Sequence, residues 1–205
     1  MITVVGNLKG GTGKSTVVFN LALWLAKQGM KVEVCDIDPQ ATLRDVAELR
    51  VEEGYTPTLS MISALPKRVT GEILVDIGTS DMESLRGALS RADRIVIPVS
   101  PSQADVWSTQ RFLEIIAASS KKRPKLMAFV NRADTHRASR ENEETEAALS
   151  QLTGLEVLPL RLGQRIVFRH SFSEGLGVFE LEPSGKAAQE LIALAQTLYG
   201  SDGTR

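Results

Sequence analysis

The sequence predicts an α/β fold in one domain, with a mostly parallel, twisted sheet flanked by helices on both faces. Three observations predict it. Continuous apolar runs of strand length alternate with segments of helix length along the chain, the pattern of strands buried on both faces. The first of these runs passes through a glycine-rich turn into an amphipathic helix, the start of a strand–turn–helix unit. At 205 residues, the chain is long enough for one well-buried domain and too short for two ordinary ones.

In order, "ITVVG" is a short apolar run ending at turn residues, a buried strand. A helix follows from about Lys14, with Val17, Leu21 and Leu25 four apart on one face, and Gly29 is placed to cap it. "KVEVCDID" is a second strand, and "EILVDIG" is a third that carries Asp76 at its C-terminal end. "DRIVIPVS" and "KLMAFVN" are two more, and "LEVLPL" is a weaker sixth. Helical segments lie between them, among them "SLRGALSRA", "VWSTQRFLEIIAAS" and "NEETEAALSQL". "PSGKAAQELIALAQTLYG" enters through proline and serine and continues as a long helix. The domain is expected over 1–200, with "SDGTR" (201–205) as a flexible tail. No repeat, low-complexity tract or linker interrupts it.

Charged residues at 24% and hydrophobic residues at 42% are ordinary for a globular protein. A net charge of −1 excludes an overall cationic nucleic-acid binder, though not a local basic patch. The single Cys35 excludes a disulfide framework or thiolate cluster, and its apolar run makes it a buried strand thiol. "MITVVGN" lacks the basic start of a signal peptide, and no run reaches bilayer length, so a cytoplasmic location is expected.

"LKGGTGKST", Leu8 to Thr16, is nearly the phosphate-loop pattern G-x-x-x-x-G-K-[ST], except that Leu8 stands where the first glycine falls and Lys9 beside it. Its place after a strand and before a helix is the context such a loop needs, beyond the carboxyl ends of the strands. Gly10, Gly11 and Gly13 let the backbone approach oxygens closely with its N–H groups inward, and the helix N-terminus adds partial positive charge. Lys14 can reach terminal phosphates and Ser15 can ligate Mg²⁺. The chain thus reads as a phosphate-loop NTPase domain. Asp36 and Asp38 lie two apart, on one face of an extended chain, and Asp76 ends the third strand. Carboxylates converging there suit metal–water coordination and orientation of an attacking water. By itself, Asp38-Pro39 would read as a turn entry.

"KGGTGKST", "DIDPQ" and "ILVDIG" together resemble the deviant Walker A ATPases of the ParA/MinD family, most of all the small ParF-like partition members and the McdA-like proteins that space carboxysomes. The likeness runs through "ADRIVIPVSPSQAD", "FVNRAD" and "EGLGVFELEPSGKAAQEL", and is looser after about residue 130. It implies an ATPase using ATP and Mg²⁺ that forms an ATP-dependent homodimer. Lys9 would be the signature lysine that crosses to the partner's ATP, and such a loop needs no glycine at Leu8. Gly10, Gly11, Thr12, Gly13, Lys14, Ser15 and Thr16 would hold the phosphates, with Thr16 on the α-phosphate. Asp38 would orient the water, and Ser15, Asp36 and Asp76 would hold Mg²⁺, the aspartates through water. Asn131 would read adenine by its amide, and segment 159–165, with Pro159 and Arg161, would close over the base. One departure is "DIGTS", where many relatives carry proline soon after the third-strand aspartate.

Three branches compete. A cargo-positioning ATPase would bind nonspecific nucleoid DNA as an ATP dimer and work with a ParB/McdB-like adaptor. A MinD-like ATPase would sit on a membrane, and a third branch comprises metabolic enzymes and iron–sulfur reductases. Lone Cys35 disfavours the reductase. The last helix, with Ala188, Leu191, Ile192, Ala195 and Leu198 on one face and Lys186 as its only cation, reads as core-packed rather than membrane-bound. Lys9 disfavours the metabolic enzyme. For DNA, "RLGQRIVFRH" offers Arg161, Arg165 and Arg169 on one face if helical, and "KKRPK" offers Lys121, Lys122, Arg123 and Lys125 on a loop. Either stretch reads equally as a solvated charged face.

Overall fold

The computed structural model describes residues 1–200 apart from 39, 79, 121, 137 and 138. The tail expected at 201–205 therefore lies outside the described residues, as does Lys121. Among the described residues seven strands form one sheet: β1 (Ile2–Val5), β2 (Val32–Asp36), β3 (Ser60–Ile62), β4 (Glu72–Asp76), β5 (Arg94–Val99), β6 (Lys125–Ala133) and β7 (Glu156–Gly163). They lie in the order β3-β2-β4-β1-β5-β6-β7, and every pairing is parallel. The helices are α1 (Lys14–Lys27), α2 (Thr42–Glu52), α3 (Met82–Arg91), α4 (Gln103–Ser119), α5 (Glu141–Ser150), α6 (Ile166–Ser173), α7 (Val178–Leu181) and α8 (Lys186–Tyr199).

Parallel strands need crossover connections, and the helices that make them cover both faces. Alternation along β1 sends Val5 into one core, with Leu21 and Leu25 of α1, Leu43 of α2 and Leu191 of α8. Val4 points into the other, with Leu89 of α3, Phe112 of α4 and Leu149 of α5. The buried face of α8 includes Ala188, Leu191, Ala195 and Leu198, while Ile192 is half-buried. No described helix is long and apolar enough to cross a membrane.

The apolar runs became strands where expected, and α1 starts at Lys14. Three elements had not been named from the sequence: β3, α2 and α7. At three residues, β3 is too short to show a period, and α7 is a single turn. One reading needs correction. "RLGQRIVFRH" is not one helix: Arg161 lies on β7, Arg165 is the cap of α6, and only Arg169 is helical. The three arginines therefore share no helical face. "KKRPK" ends in the first residue of β6, at the amino edge of the sheet, where Lys122 pairs with Asp93 and Lys125 with Glu156, each at 3.0 Å.

Candidate functional site

Between β1 and α1 the chain turns through Gly10–Gly13, at the carboxyl edge of the sheet. Gly13 takes φ of 85°, where side chains are strained, and a Cβ there would stand 2.6 Å from Asn131 Nδ2. Only glycine fits. The Gly11 carbonyl accepts a hydrogen bond from Arg132 Nη1 and the Thr12 carbonyl accepts one from Asn131 Nδ2, both at 2.6 Å. The Thr12 hydroxyl is buried without a partner among the described residues.

Lys14 is buried on α1, and its ammonium donates to the Lys9 carbonyl at 3.1 Å. Burial lowers its pKa, against the upward pull of Asp76 and Asp38. The Lys9 ammonium stays outside this pocket, its side chain 43% exposed, paired with the buried Asp105 at the start of α4. The two lysines therefore occupy different surroundings although five residues apart.

Asp36 and Asp76 face each other in register at the ends of β2 and β4. Asp36 is committed to the backbone: Oδ1 accepts from Asp38 N at 3.1 Å and Oδ2 from Arg44 N at 3.3 Å. It thereby shapes the loop that carries Asp38. Asp38 Oδ1 in turn accepts from Gln40 N at 3.0 Å. Asp76 is almost fully buried, and its Oδ1 has no hydrogen-bond partner among the described residues. Burial pushes its carboxyl up to about 7, opposed by the Ser15 hydroxyl and Lys14 and reinforced by Asp36 and Asp38. Among the described residues no three His, Cys, Asp or Glu side chains converge as a metal cage. Hard oxygens on Ser15 and Asp76, one of them orphaned, fit a Mg²⁺ that arrives on phosphates and keeps part of its water.

A cavity of about 820 Å³ opens beside the loop; Asp38 lines it, while Asp36, Asp76 and Lys9 do not. Gly10, Gly11, Gly13, Lys14, Ser15 and Thr16 line the end of it next to the loop, and Asp38 and Gly78 its flank. The remaining wall includes Asn131, Arg132, Gly163, Gln164, Arg165, Phe168, Arg169 and Phe172. Of the segment 159–165, the described residues lining the cavity are Gly163, Gln164 and Arg165, not Pro159 or Arg161. Arg161 is turned away, held by Glu146 at 2.6 Å and Glu143 at 2.9 Å on α5. Arg165 pairs with Glu190 of α8 at 2.6 Å; Arg169 also lines the cavity but is exposed.

Sequence reasoning missed several participants. Gly78 is one: a Cβ there would stand 2.7 Å from the Asp38 carboxylate carbon, so the glycine of "DIGTS" makes room for Asp38. Asp105 is another, and its position in "PSQAD" gave no sign that it holds Lys9. Arg132 and the aromatic side of α6 were likewise missed, because their approach to the loop is long-range.

The chain matches the family model described as the CobQ/CobB/MinD/ParA nucleotide binding domain over residues 3–178. It is 31% identical over 200 residues to the maintenance of carboxysome distribution protein A of Halothiobacillus neapolitanus, covering 92% of this chain and 91% of that one. Its fold is similar to that of a Cyanothece McdA variant in complex with ATP (TM-score 0.76, 18% identity, 98% of this chain and 96% of that one). It is also similar to the Pyrococcus horikoshii septum site-determining protein MinD with Mg-ADP (TM-score 0.77, 20% identity, 98% and 97%). With the family model spanning most of the chain and the phosphate loop built on the first strand and helix, this protein belongs to the ParA/MinD family of nucleotide-binding proteins.

Proposed function

We propose that the chain is a slow ATPase that forms an ATP-sandwich homodimer, binds nonspecific DNA in that state, and positions or partitions an intracellular cargo with an adaptor that stimulates hydrolysis. The observation that carries this reading is the separation of the two lysines. Lys14 lies inside the cavity beside Asp76, where it would meet the chain's own β- and γ-phosphates. Lys9 stands outside it on the solvent side, placed to neutralise phosphate charge on a second copy. That engagement requires Lys9 to leave Asp105.

Within one subunit, the loop N–H groups and the N-terminus of α1 would bind the phosphates. Thr16 would reach the α-phosphate, and Asn131 would face the base side. Mg²⁺, held by Ser15 and Asp76 with Asp36 behind, would neutralise charge on the phosphates. Asp38, with Oδ1 fixed by Gln40 N and room provided by Gly78, has Oδ2 to orient a water. A carboxylate that only orients water is a weak catalyst, so turnover is slow until an adaptor assists. The carboxysome-distribution relative supports a ParB/McdB-like adaptor and a protein-body cargo; a plasmid or chromosome region fits the same mechanism. The MinD-like membrane reading is disfavoured by the buried apolar face of α8.

For the DNA surface we favour, over Arg165 and the exposed Arg169, the loop with Lys122, Arg123 and Lys125, because Arg165 is already held by the half-buried Glu190. Its ion pairs are exposed, worth about 0–1 kcal/mol, and exchange readily for phosphate. The wild type with Mg²⁺ and ATP is expected to run as a dimer in light scattering and to retain DNA, with a log–log salt slope of about −0.9 per phosphate contact. Lys122→Glu with Arg123→Glu should lose DNA and keep the dimer. Unchanged DNA retention would overturn that surface, and vesicle binding without DNA binding would favour the membrane branch.

A further inference from the structure

Resting on the reading that the loop binds a triphosphate, we infer that Asn131 and Arg132 form a clamp that holds the loop in its anion-binding shape before any ligand arrives. The two are consecutive at the end of β6, where the pairing with β7 breaks register between Asn131 and Ala133. Arg132 takes φ of 54°, a left-handed conformation that costs a non-glycine residue about 1 kcal/mol or more. The irregularity turns two neighbouring side chains toward one loop instead of onto opposite faces of the sheet. Asn131 is buried and Arg132 exposed, and they donate to consecutive carbonyls, Thr12 O and Gly11 O, each at 2.6 Å.

The consequence follows from peptide planarity. In a trans peptide the N–H points opposite to the C=O. Fixing the Gly11 and Thr12 carbonyls on the clamp turns the N–H groups of Thr12 and Gly13 away from it, and no described protein group accepts from either. A loop of glycines would otherwise sample many peptide orientations, and binding would have to order it each time. Asn131 and Arg132 are thus positioning residues that act through the loop backbone. Asn131 spends its amide donor on the loop whether or not it also faces a base.

The test separates the phosphates from the base. Titrate Mg²⁺·ATP and inorganic tripolyphosphate into the wild type, Asn131→Asp, Arg132→Met and Arg132→Gly, at low and high salt, with thermal melts of each. Asn131→Asp sets a carboxylate against the Thr12 carbonyl and should weaken tripolyphosphate as well as ATP, each by at least about tenfold. Arg132→Met should weaken both by about tenfold, by the same factor at either salt concentration. Arg132→Gly should raise the melting temperature by relieving φ while losing the same affinity, a split that a purely structural residue does not give. Tripolyphosphate binding unchanged in Asn131→Asp would make Asn131 a base reader only. An Arg132→Met effect that vanishes at high salt would make Arg132 a long-range charge, and either result overturns the clamp. A wild type that binds neither ATP nor tripolyphosphate would instead overturn the nucleotide reading itself.

Discussion

Strand β4 carries a buried carboxylate at each end, Glu72 at its start and Asp76 at its finish, and burial raises the pKa of both. Glu72 is satisfied by its own fold. Its Oε1 accepts from Thr3 Oγ1 at 2.5 Å and from the Tyr199 hydroxyl at 3.2 Å, with the Arg94 guanidinium over the Tyr199 ring at 4.8 Å. Asp76 lies beside Lys14 and Ser15, yet its Oδ1 has no partner. A buried polar atom left unpaired costs about 1–3 kcal/mol, so the amino edge closes a structure while the carboxyl edge keeps an unmet demand. The difference teaches where stability and the candidate site divide in this sheet, and four experiments would break or sharpen it.

The largest effect is expected at Asp38. Asp38→Ala should retain ATP, accumulate the dimer on size exclusion, and lose hydrolysis by about 10²-fold or more in phosphate release; wild-type turnover would remove Asp38 from the mechanism. Next come the lysines. Lys14→Ala should weaken ATP by about a hundredfold in calorimetry, as charge-assisted contacts are lost. Lys9→Ala should keep ATP affinity in the monomer and fail to form a stable dimer. Equal losses of affinity in both would show that Lys9 serves its own nucleotide.

At the other end of the strand the signs exchange. Glu72→Ala strands the Thr3 and Tyr199 hydroxyls and should cost about 2–4 kcal/mol in urea melts. Its ATP affinity should stay within about twofold, since distant sites add independently. A large change in ATP binding would mean the two edges are coupled.

The smallest effect is a pH dependence. Asp76 has a folded pKa of about 7 against an ordinary 3.8, so between those values the folded chain binds more protons than the unfolded one. Its contribution to the stability of the ligand-free protein therefore falls as pH rises through that window. Asp36 and Glu72 are also shifted upward and add in the same direction. The melting temperature without nucleotide should drop by several degrees from pH 5 to pH 8, and Asp76→Asn should flatten part of that slope. An unchanged slope would assign it to Asp36 and Glu72.

The sequence by itself determined the layered α/β sheet, because apolar runs buried on both faces can only be parallel strands wrapped by helices. It also determined the glycine turn between β1 and α1, because glycine spacing and Lys14-Ser15 are contiguous and local in their physics. That Asp36 and Asp76 end side by side was legible for the same reason: each closes a parallel strand, and Asp38 follows two residues after Asp36. Only the tertiary structure decided what approaches these residues from afar. Arg161 read as a partner of Arg165 until β7 ended between them, and ion pairs to α5 and α8 drew the two apart. The lack of proline in "DIGTS" read as a departure, and only the fold showed that Gly78 within it leaves the space Asp38 fills. Lys9 waiting on Asp105, and Asn131 and Arg132 gripping the loop, join residues about a hundred or more positions apart. Contacts at that separation depend on strand order and on one irregularity in β6, which no local pattern of residues encodes.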